Sequence, residues 1–140
     1  MYVIKRSENI KETLCLENKD GTIAAKIDVV VDVDTISADY IKKQDTLIAA
    51  QKAMKMAQKS GNNAGFKHSY ELYAAAIVDF MGVVFGKENT CKILEFYDNR
   101  YVEMLMQVIP FIKEKFTPAI YRSVGERKKQ LKNLRKRSFR

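Results

Sequence analysis

The side chains best suited to catalysis are few in this sequence. The single histidine, His68, lies at the edge of a break rich in glycine and has no placed carboxylate or nucleophile beside it, so it forms no catalytic triad. We expect it to be an exposed loop residue. A phosphate loop is also missing, because residues 61–65 lack a Gly-Lys-Ser/Thr sequence and Gly82 and Gly86 stand alone. These features favour a protein that is not an enzyme and needs no cofactor.

Three aspartates are the best candidates for a metal site. Asp28, Asp32 and Asp34 alternate along one face of a predicted strand, and carboxylate oxygens are the ligands that hard cations prefer. Six residues of extended chain, however, separate the first from the last by about 20 Å, which is too far for one ion. We therefore predict a solvated strand face and no metal site.

The cysteines and the apolar runs indicate a cellular location. Cys15 and Cys91 lie far apart without a pairing pattern, so we interpret both as small core residues in a protein of a reducing compartment. Residues 1–6 are not followed by the apolar run of a signal peptide. The most apolar stretch, residues 74–85, is shorter than the about 20 residues of a membrane span. The sequence thus predicts a cytoplasmic protein with a buried central helix.

The spacing of apolar residues changes from period two to a helical period along the chain. Ile27, Val29 and Val31 alternate with polar residues, and Asp20-Gly21 before them predicts a hairpin with a type I′ turn. Helical spacing follows, with turn formers at residues 59–65. We predict an α+β, mostly α, fold: an N-terminal β-hairpin, a bundle of four to five helices and a basic C-terminal tail.

A single domain is predicted for residues 1–125, with the tail at 126–140. The hairpin covers residues 12–33, and the helices cover about residues 36–59, 69–85, 90–98, 100–116 and 118–125. Expected helix caps are Thr35 or Ser37, Ser69, and Asn89. Asp98-Asn99 is expected to form a tight corner, and Pro110 is expected to kink its helix because it removes one hydrogen bond of the ladder.

The net charge of +8 is concentrated in the tail. Residues 126–140 hold eight Lys or Arg and one acid, which leaves +1 for the first 125 residues. Three interpretations of the tail stay open: a solvated terminus, a phosphate-binding segment, or a segment that docks on an acidic protein groove through Leu131 and Leu134. Sparse apolar spacing also allows the tail to extend the last helix.

Three stretches of the sequence resemble one protein family. They are residues 85–90 (Phe-Gly-Lys-Glu-Asn-Thr), residues 93–105 and residues 109–112 (Ile-Pro-Phe-Ile). A hairpin, a long helix that opens with Asp34-Thr35-Ile36-Ser37 and an alanine-rich helix precede them. Over residues 20–125 the sequence resembles tail assembly chaperones of long-tailed, siphovirus-like phages of Gram-positive bacteria. The basic tail is not part of the likeness.

The resemblance implies a non-enzymatic role in the cytoplasm of the infected host. Such chaperones coat the helical tape measure protein before the tail tube polymerises around it, and they are not expected in the mature virion. They are commonly made in a short form, which this chain resembles, and a frameshift-extended form. The implied partners are therefore the tape measure protein, the extended form and further copies of the chain.

The expected partner-binding surface combines helix 100–116 with the basic tail. Met56 and Met106 lie off the main apolar stripes of their helices, and flexible methionine side chains suit adaptable binding surfaces. The residues predicted to bind the partner are Met104, Met106, Phe111, Lys128, Lys129, Leu131, Leu134, Arg135, Lys136 and Arg137. Two alternatives remain: a nucleic-acid-binding helical module that acts through the tail, and a structural tail or connector protein of the virion.

Overall fold

The computed structural model describes residues 1–4 and 9–138. Two strands precede four helices, in the order β1 (Ile10–Glu17), β2 (Ile23–Val31), α1 (Val33–Ser60), α2 (Asn63–Phe96), α3 (Tyr101–Lys115) and α4 (Thr117–Ser138). The α+β, mostly α, architecture with an N-terminal hairpin is confirmed.

The strands β1 and β2 form an antiparallel hairpin whose inner face packs on the helices. Leu16, Ile27, Val29 and Val31 are buried on that face. An isolated two-stranded hairpin is only marginally stable in water, so this contact with the helices is what stabilises it.

The turn of the hairpin differs from the predicted type I′ turn. Gly21 has a positive φ of 86°, whereas Asp20 does not. The Gly21 N–H donates to the Asn18 carbonyl, as in a type I turn followed by a left-handed glycine. The Asp20 carboxylate accepts hydrogen bonds from the Thr22 N–H and hydroxyl, which stabilises this longer loop.

Helix α1 begins before the predicted start because Asp32 caps it. The Asp32 carboxylate accepts hydrogen bonds from the Thr35 N–H and hydroxyl. An N-cap acceptor satisfies one of the unpaired N–H groups, and its negative charge complements the helix dipole. Thr35 and Ser37 consequently lie inside the helix, and the Ser37 hydroxyl donates to the Val33 carbonyl. Gly61, in the left-handed conformation, ends the helix.

The two helices predicted at residues 69–85 and 90–98 are both present within α2, and they meet at a kink at Gly86, whose φ of 79° and ψ of 166° are not helical. Asn62 caps α2 in place of Ser69, accepting a hydrogen bond from the Gly65 N–H. Asn89 is not a cap; its side-chain amide donates to the Asp28 carbonyl of β2. This bond ties the segment after the kink to the hairpin.

Replacing Gly86 with alanine should lower the free energy of unfolding by about 1–3 kcal/mol, because its φ of 79° and ψ of 166° suit glycine alone. Gly82 is the matched control, since it lies in regular helix and an added Cβ would meet no atom within 4 Å. Gly82→Ala should stabilise the protein by about 0.5–1 kcal/mol. Urea unfolding of both variants measures the difference, and effects of the same sign would contradict a kink fixed by Gly86.

The core lies where the antiparallel pair α1 and α2 meets the other elements. α2 supplies nine of the buried residues, and α1 supplies Ser37, Tyr40 and Leu47. A hydrogen bond of 2.8 Å between the Tyr40 and Thr117 hydroxyls joins α1 to the start of α4. By length and composition α2 could also cross a membrane, a test that core helices of soluble proteins pass as well.

The corner between α2 and α3 is confirmed. Asp98 and Asn99 have φ values of 50° and 58°, a region that Asn and Asp tolerate better than most residues. The Arg100 N–H donates to the Tyr97 carbonyl across this turn. Pro110 lies inside α3 and has no backbone N–H, so it cannot donate the helical hydrogen bond to the Met106 carbonyl one turn earlier.

Candidate partner-binding surface

The three predicted partner-binding residues on α3 lie in different environments. Met104 is fully buried, so its side chain is not on the surface, because it shares the inward stripe of Leu105, Val108 and Ile112. Phe111 is half-buried in an aromatic cluster, its ring centroid 6.2 Å from that of Phe85 and 5.5 Å from that of Phe116. Met106 is 71% exposed. Of the three, Met106 is the one open to a partner.

Met106 lines a groove between α1 and α3 with a volume of about 410 Å³. We call it the α1–α3 groove. Most of its lining is apolar, and its polar side chains are Gln44, Gln51 and Lys113 besides the Tyr40 hydroxyl. Its full lining is Tyr40, Gln44, Leu47, Ile48, Gln51, Phe80, Leu105, Met106, Ile109, Pro110, Ile112 and Lys113.

The floor and the mouth of the α1–α3 groove differ in burial. Leu47, Phe80 and Ile112 at the floor belong to the core, so the shape of the groove is fixed by packing that also holds the fold together. Ile48, 43% exposed, and Met106 belong to the mouth. The groove is therefore preformed at its base and adaptable at its rim.

Helix α4 is anchored to the first turn of α1. The Ser123 hydroxyl donates to the Asp34 carboxylate at 3.0 Å, and the Arg127 guanidinium forms an ion pair with it at 3.0 Å. The hydrogen bond from Ser123, followed by that from Arg127, lowers the pKa of Asp34 below its usual range. These contacts fix the direction in which α4 leaves the body of the protein.

Beyond this anchor, α4 continues to Ser138, as the apolar spacing allowed. Lys128, Lys129 and Arg135 are exposed, and Leu131 and Leu134 are 62% and 58% exposed. Lys136 and Arg137 belong to the last turns of α4, and their side chains lie outside the part of the structure that is described.

The structure does not bring the α1–α3 groove and the α4 extension together. The groove is lined on one side by residues 40–51 of α1. Helix α4, in contrast, starts beside Tyr40 and contacts Asp34 through Arg127. Since α4 runs antiparallel to α1, its extension points away from the groove. The single surface predicted from the sequence is therefore two separate surfaces.

The residues whose side chains suit catalysis or metal binding are dispersed. Asp28 lies on β2, Asp32 caps α1 and Asp34 anchors α4. Within residues 1–4 and 9–138, no group of three or more His, Cys, Asp or Glu side chains is placed to hold a metal ion. His68 is exposed, but on α2 and not in a loop.

The prediction that Cys15 and Cys91 are core residues is wrong. Both side chains are exposed. Cys15 lies on the outer face of β1, and after Gly86 the inward positions are those of Thr90 and Ile93. Apolar character alone misassigned the cysteines: Cys15 stands between the inward-facing Leu14 and Leu16 of β1, and Cys91 stands between the inward-facing Thr90 and Ile93 of α2.

Sequence reasoning missed the contribution of α1 to the groove. Ile48 repeats seven residues after Ile41, so its spacing indicated a core stripe and gave no signal of a surface site. Only the placement of α1 and α3, more than 40 residues apart in the chain, on either side of Phe80 of α2 turns Ile48 into one side of a groove.

No known protein family, curated protein or solved structure matches this chain. Its function must therefore be argued from the α1–α3 groove, from α4 and from the sequence resemblance described above.

Proposed function

We propose that this protein is a non-enzymatic phage tail assembly chaperone that binds the tape measure protein and keeps it soluble during tail assembly. The observation that carries the proposal is the preformed, apolar α1–α3 groove. Grooves of this kind bind amphipathic helices, whose apolar side chains recur at intervals of three and four residues. A long tape measure helix presents many such stripes.

The dimensions of the groove suit a short stretch of helix. Residues 40–51 of α1 span about 17 Å at 1.5 Å per residue, which matches about three helical turns of a partner. Each copy of the chaperone would cover one such stretch, so several copies are needed along one tape measure protein.

The rim of the groove suits a partner whose sequence varies along its length. Met106 at the mouth has a flexible, polarizable side chain that adapts to differently shaped apolar residues. Gln44, Gln51 and Lys113 provide hydrogen-bond donors to the polar flanks of the bound helix. Such a rim favours breadth of recognition over strict sequence specificity.

The proposal places the protein in the host cytoplasm before the tail is complete. A frameshift-extended product that retains residues 1–125 would carry the same groove and compete for the same helix. Because the chaperone must leave when the tail tube polymerises, each single contact should be weak, and the total affinity should come from many copies.

Co-expression with the long helical protein encoded just downstream tests this function. We expect that protein to be insoluble alone and to co-purify in soluble form with the chaperone, because its apolar stripes are then covered. Finished tails should lack the chain. Equal solubility without the chain would contradict the proposal, and stoichiometric incorporation into purified virions would identify a structural tail protein instead.

A further inference from the structure

The outer half of α4 carries a strip of cations that stands clear of the body of the protein. Every described side chain from Gly125 to Arg135 is exposed. The extension is anchored at its base by the Arg127–Asp34 ion pair, after which it continues for eleven residues to Ser138. Its direction is thus set by the fold, although its surface is open to solvent.

Cations and apolar residues occupy neighbouring but separate arcs of this extension. At 100° per residue, Lys128, Lys132 and Arg135 share one face with Lys129 beside them, within about 11 Å along the helix axis. Leu131 and Leu134 lie about 40° and 100° from Arg135 around the helix, beside this face and in line with the buried Phe116 and Ile120. We call the four cations the basic face of α4.

The basic face is electrostatically unbalanced. Lys128 and Lys132 are four residues apart and Lys132 and Arg135 three apart, spacings at which like charges destabilise a helix. After Glu126 the sequence contains no acid. None of the four cations forms an ion pair with any residue that the structure describes. An anionic partner would remove this repulsion and stabilise the extended helix.

We propose that the basic face of α4 binds the phosphate backbone of double-stranded nucleic acid. An α-helix with its side chains is about 10–12 Å wide and fits the major groove, which is about 12 Å wide. An acidic protein groove centred on the leucines would leave Lys129 and Lys132 outside it, because both lie more than about 120° around the helix from the midpoint of Leu131 and Leu134. The basic face contains no aromatic residue for base stacking, so binding should depend little on sequence.

This site is independent of the proposed chaperone function, because the basic face lies away from the α1–α3 groove. It would hold the protein near nucleic acid while the groove binds a protein helix. A loss of one activity therefore leaves the other measurable, and the two proposals can fail separately.

Fluorescence anisotropy with a short, labelled DNA duplex of mixed sequence and the full chain tests the proposal. If four cations each contact a phosphate, affinity should fall about 150-fold between 50 and 200 mM salt, since counterion release gives a slope of about −0.9 per contact. Affinity that does not change with salt would overturn the proposal.

A charge-matched pair of variants locates the site. Changing Lys128, Lys129, Lys132 and Arg135 to glutamine should lower duplex affinity about 100-fold or more at low salt. The control changes the exposed residues Lys52, Lys55, Lys59 and Lys67 to glutamine. This removes the same charge from the C-terminal end of α1 and the N-terminal end of α2. We expect the control to bind the duplex nearly as well as the original chain.

Two further outcomes would overturn the proposal. One is an equal loss of duplex binding in both variants, which would indicate an effect of net charge alone. The other is tighter binding to polyglutamate than to the duplex at the same charge concentration, which would indicate an acidic protein partner. Circular dichroism should show that both variants retain the fold, and co-purification with the tape measure protein should persist in both.

Discussion

Replacing Phe80 with alanine should lower the free energy of unfolding by about 3–5 kcal/mol. The Phe80 ring is buried between α1 and α3, and its centroid lies 5.3 Å from that of Tyr40. Its removal loses the transfer free energy of the ring and leaves a cavity that rigid helices cannot close. Since small domains are stable by only about 5–15 kcal/mol, urea denaturation should show a large shift in midpoint.

Phe66 provides the control for this substitution. It is only half-buried and packs against Tyr70 near the connection between α1 and α2, with ring centroids 6.3 Å apart. Phe66→Ala should therefore cost clearly less stability than Phe80→Ala, because fewer contacts and less apolar area are lost. Equal losses at the two positions would contradict a core centred on the contact of α1, α2 and α3.

Introducing glutamate at both Ile48 and Met106 should weaken binding of the tape measure protein about 100-fold or more, because each carboxylate would be desolvated unpaired in the apolar mouth of the groove. The fold should persist, since both side chains already contact solvent. Binding of the soluble complex can be measured by competition with the original chain during co-expression.

Met56→Glu is the matched control, because Met56 is 71% exposed like Met106 but is not part of the groove lining. Both methionines lie off the apolar stripes of their helices, and of the two only Met106 is among the residues predicted to bind the partner. If Met56→Glu abolished binding while the variant with glutamate at Ile48 and Met106 bound normally, the binding surface would be the C-terminal end of α1 and not the groove.

The regular elements were predictable where one local signal dominates. Alternation along β2 and the turn formers at residues 59–65 specify the hairpin and the α1–α2 connection. The starts of α1 and α2 were misplaced because Asp32 and Asn62 compete as caps with the Ser and Thr residues that follow them. The Asn89–Asp28 bond, which joins the segment after Gly86 to the hairpin, is a tertiary contact that no local pattern reports.

The candidate surfaces were predictable only where helical phase decides which side chains are exposed. Helical phase correctly placed Met106 outside, and it should also have placed Met104 inside, on the stripe of Val108 and Ile112. The groove itself could not be predicted, because its two walls, α1 and α3, are distant in sequence and come to lie on either side of Phe80 through their packing on α2. The direction of the α4 extension likewise depends on Asp34, far away in the chain.

Site-specific photo-crosslinking tests most directly whether the α1–α3 groove holds a tape measure helix. A photoreactive amino acid at position 106 should crosslink to the tape measure protein in the co-expressed complex, whereas the same group at Lys26, exposed on the outer face of β2, should not. Crosslinks from position 26 but none from position 106, in a complex that still co-purifies, would contradict the account.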